Sequence, residues 1–331
     1  MSLIRTYGPG VLFAFVIALV ANVVGRWIPI LGGSVLAIVL GMLINQVVTK
    51  PAYLHAGIAF TSKKGLQYAI ILLGTSYHFS AVISVGKESL LLLISVFLTA
   101  FVATYVFGQL LKVDSHLKIL IGVGTAICGG TAIAATAPIL KAKSKDVSYA
   151  ISTIFLFNIL AVISYPLIGH IFGMADGFFG QWAGASINDT SSVVAAGFAY
   201  SDAAGQSATI VKLARTLMIL PVTAFVAIIE TRRNQKQYQS ESKFSLITIF
   251  PWFILFFFMA VTLNSLGFLP VWLTNQASSL GKFLIVMALA SVGLNTNIKQ
   301  MSQTGFKPLI LGMLVWFSVV TVSISVLMWL Q

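Results

Sequence analysis

Long apolar runs separated by short polar stretches recur along the whole chain. Eleven such segments can be marked, and most reach the roughly 20 residues that a helix needs to cross a bilayer. The pattern predicts an all-α polytopic membrane protein that forms one integral membrane domain over residues 1–331 and is surrounded by the lipid bilayer. The segments cover residues 8–25, 29–48, 65–85, 90–111, 117–140, 147–172, 178–198, 206–230, 245–267, 272–296 and 307–330.

Composition supports this prediction and excludes several classes of function. Hydrophobic residues make up 58% of the chain and charged residues only 8%, which is unlike a soluble domain. The net charge of +12 does not predict nucleic acid binding, because the basic residues lie mostly in short loops, where they set membrane topology. A single cysteine and four scattered histidines provide no metal-ligand spacing, so we expect neither a metal nor a cofactor.

Two segments lack the bulky Leu, Ile and Phe side chains that a lipid-facing helix uses. Residues Gly122–Pro138 read GVGTAICGGTAIAATAP, and Gly180–Gly197 read GQWAGASINDTSSVVAAG. Small and polar residues at this density predict helices that are broken or re-entrant near 122–138 and 180–197. Backbone groups freed at such a break need side chains, water or a ligand as partners.

Charge placement bears on how these two segments run. If both re-enter and the N-terminus is cytoplasmic, most loop cations fall on the inner side. If both cross fully, the KAKSK cluster Lys141–Lys145 moves outside. The positive-inside rule therefore favours re-entrant or strongly broken segments through this one loop, and a discontinuous crossing helix stays open.

The two broken segments also resemble each other. Ala126–Thr136 (AICGGTAIAAT) aligns with Ser186–Ala196 (SINDTSSVVAA), and a weaker pairing joins Leu72–Lys87 to Ala290–Phe306. In the re-entrant topology the two hairpins enter from opposite faces and form an inverted pair. Broken segments at corresponding positions of two halves indicate the binding site of a secondary transporter, whereas chance similarity of small residues is the alternative.

Two cations interrupt the apolar segment Ala208–Ile229. Lys212 and Arg215 lie one turn apart on the same face, close to the expected midplane. Each would cost about 2.5–3.5 kcal/mol if it faced lipid, so we expect both to face a polar cavity or a partner. Cations within a membrane span mark a path for anions or protons.

The breaks and the cations together predict a substrate site. The start of a half-helix carries partial positive charge and directed N–H donors, which suit an anion. Two such starts meeting beside the cations would form a basic, donor-rich pocket for a small oxyanion. The candidate substrate-binding residues are Cys128, Gly129, Gly130, Thr131, Asn188, Asp189, Thr190, Ser191, Ser192, Lys212 and Arg215.

Asp189 has more than one interpretation. It precedes Thr-Ser-Ser and an apolar run, which is typical of a helix N-cap. An isolated carboxylate in hydrocarbon is costly, so we also expect a charge pair with Arg215 or Lys212. Such a pair could be purely structural, or it could be a proton-linked switch in which substrate and Asp189 compete for the cations.

Other polar and aromatic residues within the segments have simpler interpretations. Asn158 is a candidate for lining a cavity or for an interhelical hydrogen bond. Trp182, Trp252, Trp272 and Trp329 fit an interfacial aromatic belt.

These residues resemble the YeiH family of bacterial inner-membrane proteins (UPF0324), which is described as a family of sulfate exporters. The resemblance covers nearly the whole chain and is carried by Ile127–Pro138, Trp182–Gly197 and Ala208–Pro221. It implies a bacterial inner-membrane secondary transporter with inverted repeats and broken helices, as in the antiporter NhaA. Sulfate, sulfite or a related sulfur oxyanion is the implied substrate. Proton or sodium is the candidate coupling ion, and a homodimer is common for this architecture.

The leading hypothesis is a secondary anion exporter that works by alternating access and is not an enzyme. The main alternative is a proton- or sodium-coupled cation antiporter centred on Asp189. A membrane-embedded enzyme would need a nucleophile and a base, for which Ser191 and Lys212 are suitable residue types. A primary pump is not expected, because the chain has no Walker-type loop.

Overall fold

The computed structural model describes residues 2–27, 32–233, 250–296 and 305–330, and every regular element within these ranges is helical. A π-helical turn, Thr61–Gly65, joins α3 to α4. The helices are α1 Ser2–Gly25, α2 Gly32–Val47, α3 Ala52–Phe60, α4 Leu66–Gly74, α5 Phe79–Glu88, α6 Leu90–Leu110, α7 Ser115–Ala126, α8 Gly130–Thr136, α9 Ser144–Ile171, α10 Asp176–Ser186, α11 Thr190–Tyr200, α12 Asp202–Leu217, α13 Ile219–Arg233, α14 Trp252–Ser265, α15 Val271–Asn295 and α16 Phe306–Leu330.

Six helical stretches in the described ranges are long and apolar enough to cross a membrane. The prediction of an all-α polytopic membrane protein is therefore confirmed. Two shorter apolar helices, α2 and α14, accompany them. The six stretches are Arg5–Gly25, Leu90–Leu110, Ser144–Ile171, Asp202–Ile229, Val271–Asn295 and Phe306–Leu330.

The predicted apolar segment at residues 65–85 is not one continuous helix. The helix through α3 and α4 ends at Gly74, and the chain turns by 111° before α5. The hydroxyls of Thr75 and Ser76 donate to carbonyls three residues earlier, at 2.7 and 2.8 Å, and so close the helix end. Asn264 of α14 donates to the carbonyl of Tyr77 at 3.2 Å and anchors the turn.

Buried apolar side chains form two clusters, and α11 and α12 contribute to both. We call the helices around one cluster the first bundle (α6–α10, α13 and α16) and those around the other the second bundle (α1–α5, α14 and α15). On α12, Ala208 and Val211 join the first cluster, whereas Ile210 and Leu213 join the second. The helix that carries both buried cations therefore lies between the bundles.

Small residues let the broken segments pack closely against α12. A Cβ on Gly184 of α10 would lie 2.7 Å from the carbonyl oxygen of Ala208. A Cβ on Gly197 of α11 would lie 2.9 Å from the Cα of Gly205. A larger side chain at either glycine would push α10 or α11 away from α12, so this spacing sets the position of the cations.

Candidate functional site

The first break separates α7 from α8. The three residues between Ala126 and Gly130 are not helical, and they lie within the predicted range 122–138. Gly129 has φ +69° and ψ −128°, a conformation that only glycine adopts without strain. Its N–H donates to the carbonyl of Gly124 at 2.9 Å, which closes the end of α7.

The second break separates α10 from α11, and Asp189 caps the helix that follows it. One carboxylate oxygen of Asp189 accepts from the backbone N–H groups of Ser191 at 3.0 Å and Ser192 at 3.3 Å. The Ser191 hydroxyl donates to the same oxygen. The interpretation of Asp189 as an N-cap is therefore confirmed.

Asn158 of α9 holds the backbone of the second break. Its side-chain oxygen accepts from the N–H of Asn188 at 3.2 Å and from that of Asp189 at 3.3 Å. Neither N–H lies inside a helix, and Asn188 is fully buried. Without Asn158, both donors would lose this acceptor.

Lys212 joins the two breaks. Its ammonium donates to the carbonyls of Ile127 at 2.9 Å, Ile187 at 3.0 Å and Asn188. The side chain is 0% exposed. The charged ammonium form has three N–H groups, one for each of these carbonyls.

Arg215, one turn further along α12, binds the ends of both half-helices that lead into the breaks. Its Nε donates to the carbonyl of Ala126 at 2.8 Å, and Nη2 donates to that of Thr125. Nη1 donates to the carbonyls of Ala185 at 2.5 Å and Ile187 at 3.1 Å. The guanidinium therefore lies at the C-terminal, partially negative ends of α7 and α10.

The expected charge pair between Asp189 and Lys212 or Arg215 is wrong. The ion pair found among the described residues is instead Lys282–Asp202, with 2.8 Å between Nζ and Oδ2. The physical reason is that each charge is matched to a helix end of opposite sign. The carboxylate binds amides at the start of α11, while the cations bind carbonyls at the ends of α7 and α10.

The remaining candidates divide by burial. Cys128, Gly129, Ser191 and Ser192 are buried around the breaks with Asn188. Gly130, Asp189 and Thr190 are half-buried, and Thr131 is exposed. Lys212 and Arg215, at 0% and 2% exposure, face backbone carbonyls rather than an open pocket in this conformation.

Comparison with known proteins places the chain in a family. The family described as Conserved hypothetical protein 698 matches residues 9–312. The chain is 43% identical to a UPF0324 membrane protein of Clostridium tetani, over 99% of each chain. It is 40% identical to one of Fusobacterium nucleatum and 41% identical to one of Streptococcus agalactiae, over 96% of each chain. The chain belongs to the UPF0324 family of membrane proteins. The three motifs that carried the resemblance all lie within the matched residues.

The breaks of this UPF0324 protein hold buried polar side-chain atoms, and of the residues that carry them Thr125 is the one that sequence analysis missed. Both side-chain polar atoms of Asn188, the amide nitrogen of Asn158 and the hydroxyl of Thr125 are buried and have no hydrogen-bond partner among the described residues. Each such atom costs about 1–3 kcal/mol unless it is satisfied. A buried polar group without a protein partner indicates a place for water or a ligand. Asn158 could be recognised from the sequence because it is a lone amide in an apolar helix, whereas no pattern distinguishes Thr125.

Proposed function

We propose that this UPF0324 protein is a secondary active transporter that exports a small inorganic or sulfur oxyanion, such as sulfate or sulfite, by alternating access. One observation carries the proposal. Two chain breaks meet at Lys212 and Arg215, and neither cation forms an ion pair with a described acid.

The charges at this centre favour an anion. The two cations contribute two positive charges, and the ends of α7 and α10 together contribute about one negative charge. Asp189 adds one negative charge, which is offset by about half a charge at the helix start that it caps. The sum is close to half a positive charge, or about one if the start of the short α8 is included. A small anion would reduce this excess, whereas a bound sodium ion would increase it.

The hydrogen bonds define the unit that we propose moves. Lys212 makes three bonds to the breaks and Arg215 makes four, so the two broken segments and α12 are cross-linked into one body. This body includes α7, α8 and α10 of the first bundle, and its helices α11 and α12 also pack against the second bundle. Motion of the body against the remaining helices would carry the anion site from one side of the membrane to the other.

An inverted repeat of the NhaA kind, with about eleven segments, is part of the proposal. When Ala126–Thr136 is aligned with Ser186–Ala196, the last residues of α7 and α10 coincide, and so do the first residues of α8 and α11. This agreement of both helix ends supports a repeat over chance similarity of small residues. In the weaker pairing, residues 297–304 lie outside the described residues.

We further propose a bacterial inner-membrane location, one transport domain and a cytoplasmic N-terminus, on the basis of the loop cations. Proton or sodium is the proposed coupling ion, and a homodimer is the proposed assembly.

The cation antiporter is less well supported, because a carboxylate oxygen of Asp189 accepts hydrogen bonds from the start of α11. Catalysis by a serine–lysine pair is not proposed either, because Ser191 donates to Asp189 while Lys212 donates to carbonyls.

Anion-dependent thermal unfolding of the purified protein in detergent tests the proposal. Sulfate, sulfite, thiosulfate, phosphate and chloride are compared for the wild type, Lys212→Met and Lys282→Met. The control removes a lysine of the exposed ion pair and keeps the centre intact. A ligand at a concentration of 100 times its Kd raises the free energy of unfolding by about 2.7 kcal/mol. We therefore expect one oxyanion to raise the unfolding temperature of the wild type and the control but not that of Lys212→Met. A flat anion series with stabilisation by sodium would overturn the proposal.

A further inference from the structure

Five aromatic rings from α9, α10 and α16 form a column inside the first bundle. Phe157 stacks on Trp316 at 5.5 Å between ring centroids, and Trp316 stacks on Tyr165 at 6.3 Å. Tyr165 stacks on Trp182 at 4.0 Å with an interplanar angle of 6°, and the edge of Phe179 meets Trp182 at 5.9 Å. Trp182 is 1% exposed, so its assignment to an interfacial belt is wrong.

The three central rings of this column carry buried hydrogen-bond donors. The indole nitrogen of Trp182 has no hydrogen-bond partner among the described residues, and the Tyr165 hydroxyl and the Trp316 indole nitrogen have none at ordinary hydrogen-bond geometry, although these two groups lie side by side. An indole N–H only donates, so Trp182 lacks an acceptor, whereas the Tyr165 hydroxyl can accept from Trp316 and still donate. The flanking rings of Phe157 and Phe179 carry no polar atom, which confines the donors to one stretch of the column.

The donors adjoin the cation site. The side chains of Ser186 and Trp316 lie beside the Tyr165 hydroxyl, and Arg215 is close enough to interact with it electrostatically. The Ser186 hydroxyl is engaged with a carbonyl of its own helix at 2.5 Å. Arg215 binds the carbonyls of Ala185 and Ile187, on either side of Ser186. The aromatic donors therefore begin next to the residues that the guanidinium holds.

Neutral donors in this position suit an oxygen-rich anion. Such an anion accepts hydrogen bonds on several sides, and donors without charge can replace part of its hydration shell. The net positive charge at Lys212 and Arg215 lies close enough to favour the anion electrostatically. A water molecule is the competing occupant, because it can also accept hydrogen bonds from buried donors.

We infer that Tyr165, Trp182 and Trp316 form a second oxyanion subsite beside the cation centre. The inference rests on the proposed function, since it treats the anion near Arg215 as the transported species. The subsite would receive the dehydrated oxyanion on its way to or from Arg215. It extends the candidate site to residues of α9 and α16, which sequence analysis did not include.

Variants that remove one donor and keep a ring test the subsite. Tyr165→Phe and Trp316→Phe are compared with Trp329→Phe, an exposed tryptophan of α16 outside the column. The measurement is the concentration of radiolabelled sulfate or sulfite that gives half-maximal flux into proteoliposomes. Loss of one hydrogen bond to a charged acceptor predicts a rise of roughly tenfold to hundredfold in the first two variants. The value for Trp329→Phe should stay at that of the wild type.

A second measurement decides the matter if a column variant does not fold. Four tryptophans, Trp27, Trp252, Trp272 and Trp329, are replaced by Phe, so that emission comes from Trp182 and Trp316. A saturable change of emission on addition of sulfate or sulfite supports the subsite. Two results would overturn the subsite if the wild type transports the anion. One is that the folded column variants reach half-maximal flux at the same anion concentration as the wild type. The other is that the tryptophan emission does not change on addition of the anion, and either result indicates that water binds the donors. Absence of any oxyanion flux in the wild type overturns the proposed function itself.

Discussion

Replacing Asp189 separates helix capping from ion coupling. In the structure, Asp189 contacts the start of α11 and forms no ion pair with Lys212 or Arg215. Asn is as good an N-cap as Asp, whereas Ala cannot accept a hydrogen bond. Asp189→Asn should therefore retain the cap without its charge, and Asp189→Ala should lose both.

The contacts set the expected magnitudes. In Asp189→Ala, the N–H groups of Ser191 and Ser192 lose their acceptor, which predicts a loss of about 1–2 kcal/mol in the free energy of unfolding. In Asp189→Asn, mainly the charge interaction with the helix start is lost, at about 0.3–1 kcal/mol. Removal of a negative charge also raises the net positive charge of the centre, so anion affinity should hold or increase.

Thermal unfolding in detergent and oxyanion flux in proteoliposomes measure the two effects. The matched control is Asp176→Asn, which changes an acid in the first turn of α10, away from the breaks. We expect Asp189→Asn to unfold near the wild-type temperature and to retain flux. A folded Asp189→Asn protein with no flux, together with sodium- or proton-dependent flux in the wild type, would refute the capping account and establish Asp189 as the coupling group.

Three further predictions concern the breaks. Asn158→Leu should lower the free energy of unfolding by about 2–5 kcal/mol, because the buried N–H of Asn188 and the half-buried N–H of Asp189 lose their acceptor. Asn158→Asp should lower it by less, and equal losses of the two variants in denaturation would contradict this. Gly129→Ala should lower the free energy of unfolding by about 1–3 kcal/mol because residue 129 has a positive φ. A Cβ at the neighbouring Gly130 would make only ordinary contacts, so Gly130→Ala should unfold at a higher temperature than Gly129→Ala. Cys128, the single thiol, is 3% exposed and should react slowly with a maleimide; rapid labelling of the resting protein would contradict its burial.

Local composition was enough to predict the breaks and the buried cations. The small residues around Gly129 and Asn188 cannot cover a lipid-facing helix surface, and the chain leaves helical geometry at both places. Lys212 and Arg215 stand in an apolar helix, and both are buried. These features depend on residues that are close together in the sequence, so they can be recognised without a structure.

The partners of the cations could not be predicted in the same way. Every residue has a backbone carbonyl, so no side-chain identity marked Thr125, Ala185 or Ile187 as an acceptor. Asp189 is the acid within the two broken segments, but its carboxylate binds the N–H groups two and three residues ahead, at the start of α11. Trp316 is far from the site in sequence, and only the packing of α16 against α9 brings it there.

The bend at residues 75–78 was missed for a related reason. Apolar residues continue on both sides of it, so hydropathy alone predicts one uninterrupted span. The turn depends on the hydroxyls of Thr75 and Ser76 and on the hydrogen bond from Asn264, which is distant in sequence. Hydroxyl residues within an apolar run do not by themselves distinguish a bend from a continuous helix.

Oxyanion flux that requires the buried ammonium is the central claim, and it can be measured directly. Proteoliposomes containing wild type, Lys212→Met or Lys282→Met are loaded with unlabelled sulfate or sulfite, and entry of the labelled anion is followed. We expect counterflow in the wild type and in Lys282→Met and none in folded Lys212→Met. Equal counterflow in all three proteins, or flux of sodium alone, would contradict it.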